Sequence, residues 1–127
     1  MYTNDVIRFN ETLRLRTKVF AINVFSMLRN NKTDYLGRSV FMQLIRSSSS
    51  VAANFRAATR GRSDAEFYAK ICIVVEEIDE SAFWLEYLVE TGLLQASTTE
   101  RMEKEAKELL YLFASIKRKL KEKRNST

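Results

Sequence analysis

Residues 63–92 read SDAEFYAKICIVVEEIDESAFWLEYLVETG, and this stretch decides the fold. Ser63, followed three positions on by Glu66, is a capping box: the serine oxygen accepts a backbone N–H of the first helical turn, and the glutamate reaches back. Phe67, Ile71, Val74, Ile78, Leu85 and Leu88 then recur at helical steps along one face. Gly92 is the stop, because glycine tolerates the left-handed conformation in which helices end. The spacing predicts a helix over 64–91.

The same grammar extends in both directions. Upstream, Phe41, Leu44, Ile45, Ser48, Val51, Ala52 and Phe55 line one face of a helix expected over 36–60, ended by Gly61 and Arg62. Before it, Val6, Phe9, Leu13, Phe20, Val24 and Leu28 form the stripe of a helix over 5–29, with Thr17 interrupting it. That helix would be about 38 Å long at 1.5 Å per residue. Residues 30–34 are a polar break. Downstream, Ser97 and Glu100 read as a second capping box. They open a helix over 98–124 with Met102, Ala106, Leu109, Phe113, Ile116 and Leu120 as its stripe, and residues 125–127 are expected to fray. The chain has no proline and three glycines, which permits helices of this length. Four amphipathic helices of similar length on short loops pack side by side with neighbours antiparallel. The expected fold is all-α, an up-and-down antiparallel four-helix bundle forming one domain over 1–127.

Composition narrows the function classes. The chain has 127 residues, 46% hydrophobic and 29% charged, with one cysteine and no histidine. A lone Cys72 excludes an intramolecular disulfide and fits a reducing compartment. Asn4, Asp5 and Arg8 interrupt any signal-peptide core. The apolar-rich run 19–28 is far short of the ~20 residues that span a bilayer. The expectation is a cytoplasmic protein without a membrane partner.

Histidine's absence removes the commonest general base and metal ligand. A two-metal bundle site built on Glu-x-x-His pairs cannot form, and Glu76, Glu77, Asp79 and Glu80 fall largely off the apolar face. Cys72 lies between Ile71 and Ile73 with no activating base, so it reads as structural. Serines 47–50 lack the glycines and histidine partner of a nucleophile elbow, and there is no phosphate-binding glycine loop. Enzyme is the least favoured class. No catalytic residue, metal, cofactor or small-molecule substrate is expected.

The net charge is +5, and residues 117–124 alone hold six bases and one acid. Such a cluster suits phosphate contacts, but cations at a helix C-terminus also suit the negative end of the helix dipole, and short basic ends are ordinary. In the second helix Arg38, Arg46, Arg56 and Arg60 fall within a sector of roughly 80° at 100° per residue. They could grip phosphates. They could equally pair with the third helix, which carries eight acids against Lys70 alone, and pairing is the more economical explanation. The candidate nucleic-acid set is therefore Arg38, Arg46, Arg56, Arg60, Lys117, Arg118, Lys119 and Lys121. On the third helix Ile73, Phe83, Trp84 and Tyr87 are expected to face away from the core among Glu76 and Glu80. They form a candidate oligomer interface unless they pack on a flanking helix.

The middle of the chain resembles the ribosomal-RNA intervening-sequence family of S23-like four-helix-bundle proteins. The resemblance rests on residues 43–63, QLIRSSSSVAANFRAATRGRS, and on Glu66-Phe67, Lys70-Ile71, Glu76-Glu77, Glu80, Trp84-Leu85-Glu86 and Gly92-Leu93. It is close over 36–94 and extends to the whole chain in helix layout. It implies a bundle that assembles with copies of itself as a homopentamer. Relatives include basic accessory proteins of diversity-generating retroelements, which bind nucleic acid and reverse transcriptase. Phe55 and Ala57 depart from the family's usual tyrosine or isoleucine and glutamate. The family offers no established catalytic residue to carry over. Two readings follow: an oligomeric module that binds structured RNA or DNA, and an oligomeric scaffold or adaptor for proteins alone.

Overall fold

The computed structural model describes residues 4–126. Four helices, α1 (Asn4–Arg29), α2 (Tyr35–Thr59), α3 (Asp64–Glu90) and α4 (Ala96–Asn125), form the up-and-down antiparallel bundle. In cross-section they follow chain order, each packing on its neighbours, with α4 closing against α1. Helix α4 extends to Asn125, one residue past the expected end, and Thr127 lies outside the described residues.

The helix boundaries have local causes. Asp34 caps α2, its side chain accepting from the Gly37 N–H at 2.9 Å. The polar break therefore contains a start signal within it. Ser63 caps α3, accepting from the Glu66 N–H at 3.1 Å. Glu66 reaches back to the Arg62 N–H, one residue before the cap. Gly92 ends the next turn at φ +76, its N–H bonding to Val89 O at 3.0 Å.

The expected capping box at Ser97 and Glu100 does not form. Helix α4 starts earlier, with Gln95 as its cap and no side-chain bond there, so Ser97 already lies in the first turn. Thr99 is buried instead, its hydroxyl 3.2 Å from Glu103.

The core is a continuous apolar column from all four helices. Phe55 of α2 and Phe113 of α4 meet edge to face across its diagonal, with centroids 5.1 Å apart. The α1 stripe differs from expectation at its N-terminal end and at its middle. Val6 and Phe9 are exposed, and Thr17 is fully buried. Thr17 joins the stripe because its hydroxyl satisfies itself on the Arg14 carbonyl at 3.0 Å. At the α2–α3 seam Ser47 and Ser81 face each other, with Oγ atoms 2.9 Å apart and both residues buried. Small hydrogen-bonding residues let these helices approach closely there. The α1–α4 seam is clamped by Arg16, which grips Glu105 with two bonds of 2.8 and 2.7 Å and reaches Glu108 at 3.3 Å. These carboxylates hold the Arg16 guanidinium's pKa above its ordinary value, the Glu105 bonds contributing most.

Candidate nucleic-acid interface

The α2 arginines share a sector, but the tertiary structure splits them into three environments. Arg46 is committed to α3. Its guanidinium bonds Glu77 at 3.0 Å and also Glu80. Glu80 in turn accepts the Trp84 indole N–H at 3.1 Å. The Arg46 bond, followed by the Trp84 bond, holds the Glu80 carboxyl below the usual carboxylate range against the opposing effect of burial. Arg38 lies about 33 Å up the helix from Arg60 at 1.5 Å per residue, over the Tyr35 ring at 6.0 Å.

Arg56 and Arg60 form the third environment. They face α1 across a groove of about 360 Å³ lined by Glu11, Arg14, Leu15 and Lys18. Arg14 and Lys18 are one turn apart on α1, and Arg56 and Arg60 one turn apart on α2. Four cations thus converge on one acid, and among the described residues none of the four forms an ion pair. Arg14 and Lys18 carry no site signal of their own in the sequence. Their four-residue spacing was visible, but nothing in the sequence put them opposite Arg56.

The antiparallel topology brings the α4 end to the same pole. Arg124 lies over the Tyr68 ring at 4.8 Å, fixing the C-terminus of α4 beside the start of α3. Tyr68 has its phenol pKa raised, chiefly by its bond to Cys72 and then by burial, with Arg124 acting in opposition. Arg118, Lys119 and Lys121 are exposed there, and Lys117 is half-buried. The pole made of residues 4–16, 47–76 and 111–126 carries thirteen bases and six acids. The opposite half, residues 17–46 and 77–110, carries eight bases and ten acids.

The aromatic patch on α3 divides as well. Phe83 and Tyr87 stack with centroids 5.7 Å apart and are exposed. Trp84 turns to the side instead, half-buried against the core and tied to Glu80. Ile73 is also half-buried. Trp84 therefore does not face directly away from the core, because its position on the helix lies on the α2 flank. A further apolar surface appears on α1, where Leu15, Val19, Ile22 and Phe25 are exposed.

Among the described residues no group of three or more His, Cys, Asp or Glu side chains is placed to hold a metal ion. Glu77 and Glu80 are already taken up by Arg46. Among the described residues no helix is long and apolar enough to cross a membrane.

A family model described as 23S rRNA-intervening sequence protein matches residues 13–115. Among solved structures, a protein of unknown function from the S23 ribosomal protein family of Bacteroides thetaiotaomicron VPI-5482 is 27% identical. It superposes with a TM-score of 0.72, covering 82% of this chain and 96% of that one. No curated protein matches the chain.

Proposed function

The chain belongs to the 23S rRNA-intervening sequence protein family, and from that premise and its charge layout we propose a non-catalytic, self-associating bundle that binds structured nucleic acid through its basic pole. The observation that carries the reading is the gathering of Arg56, Arg60 and the exposed Arg118, Lys119 and Lys121 at one end of the molecule. Nearby acids leave these side chains without ion pairs among the described residues. Arg46 is dropped from the candidate set, since its charge is spent on α3, and Arg38 belongs to the other pole. Family resemblance supplies the subunit number, five. Repetition of a weak site around such an assembly raises avidity without new contacts.

The test is a salt titration of binding to an RNA hairpin and to duplex DNA. Affinity should fall linearly on a log–log plot, as counterion release requires. Arg60→Gln, Lys119→Gln and Lys121→Gln together should lower the slope by about 2–3, at roughly 0.9 for each lost phosphate contact. No binding at low salt from folded, assembled protein overturns the reading. It would favour the scaffold alternative, which the exposed Phe83 and Tyr87 support.

A further inference from the structure

The α1–α2 groove continues upward from its cations into an apolar trough of about 370 Å³, floored by Ala52 and Ala53 and walled by Ile22 and Phe25. Ile22 is 52% and Phe25 49% exposed. Two half-exposed large side chains beside a shallow floor are an unpartnered face. Its opposite in charge lies on the same molecule: the outward face of α3 carries Phe83 and Tyr87 with exposed Glu76, Asp79 and Glu90.

The two faces match in register as well as in sign. On α1 the midpoint of Arg14 and Lys18 lies about 11 Å below that of Ile22 and Phe25, at 1.5 Å per residue. On α3 the midpoint of Glu76 and Asp79 lies about 11 Å below that of Phe83 and Tyr87 by the same measure. Beyond the apolar step, Arg29 follows on α1 and Glu90 on α3, each roughly 8 Å further on. Both helices read charge, apolar, charge from N to C, with opposite signs. Reversing one helix shifts both charge pairs out of step by about 3–4 Å.

We infer that the α1–α2 trough receives the acidic, aromatic face of α3 from a second copy of this chain, with the two bundles parallel. The two surfaces are different patches of one chain, so the contact is heterologous: each copy offers one face and receives on the other. With the bundles parallel, such a contact turns each copy about an axis along the bundle, and it generates a ring where that turn closes. Every basic pole then lies on the same side of the ring. Arg14, Lys18 and Arg56 face the interface, so in the assembly Arg56 leaves the phosphate-binding set, and Arg60 and the α4 end remain available to phosphate. This deepens the self-association proposed above by naming the surface that α3 enters.

The experiment is the assembly mass of the full chain, without nucleic acid, by sedimentation across a concentration series. Lys18→Glu and Glu76→Lys each put like charges together, and each should weaken assembly at least tenfold. The double charge swap should restore it. Phe83→Asp should leave monomers with unchanged helicity, since the side chain is 51% exposed. In a Cys72→Ser background, Ile22→Cys with Phe83→Cys should oxidise to covalent species larger than a dimer. A wild-type chain that stays monomeric overturns both self-association and this docking. An assembled chain indifferent to Lys18→Glu and Phe83→Asp, a charge swap that fails to restore mass, or cross-linking that stops at dimers or is absent overturns the docking alone.

Discussion

Gly37 is buried at the start of α2, where the first loop meets Leu93 of the third. A Cβ there would land on the Thr33 hydroxyl and within 3.1 Å of Leu93 Cδ2. Gly37→Ala should destabilise the bundle by about 1–3 kcal/mol through overpacking, despite alanine's better helix propensity. Thermal denaturation by circular dichroism measures it. The Thr33 hydroxyl beside it is buried and has no hydrogen-bond partner among the described residues. Thr33→Val removes an unsatisfied group at nearly constant shape, so stability should hold or rise; a loss beyond about 1 kcal/mol would mean that the hydroxyl has a partner. Phe55, one of the two departures from the family pattern, is fully buried in the core against Phe113. Phe113→Ala should cost about 3–5 kcal/mol by urea denaturation.

At the scale of elements, the α2–α3 seam combines a buried serine pair with an ion-pair cluster at its rim. Ser81→Leu should destabilise by about 1–3 kcal/mol, because the added side chain meets the buried Ser47 across the seam. The Arg46 cluster is worth less. Its arginine side chain is 51% exposed, so solvent screening limits Arg46→Gln to about 1 kcal/mol at neutral pH. The pH dependence has a definite sign. Glu80 has a folded pKa below its ordinary value of 4.5. Its contribution is therefore full above that value and lost as pH falls through the depressed one. Paired urea melts of the parent and Arg46→Gln should converge on acidification below about pH 4; a gap constant from pH 7 to pH 3 would show that Arg46 acts through packing alone.

At the scale of the whole molecule, segregation of charge along the bundle axis is the feature with functional reach. It predicts binding through one end, so that neutralising Lys119 and Lys121 lowers the salt slope while neutralising Arg38 at the far pole leaves it unchanged. The helices were legible in the sequence because caps and apolar periodicity are local: Ser63 with Glu66, Gly92, and the Ile71 to Leu88 stripe each act within a turn or two. Asp34 is one polar residue among several in its run, and the Ser97–Glu100 pair inside α4 resembles one at a helix start. Bundle class followed from four such stripes on short loops, and family membership from residues 36–94. By contrast, helical angle placed Arg38, Arg46, Arg56 and Arg60 on one face without showing what stood opposite each. Only the packed structure could give Arg46 to Glu77 and Glu80, set Arg56 and Arg60 against Arg14 and Lys18, and turn Trp84 toward α2. Periodicity fixes where a side chain leaves its own helix. What it then meets depends on the neighbouring helix, whose residues lie tens of positions away in the chain and come into reach only when the bundle closes.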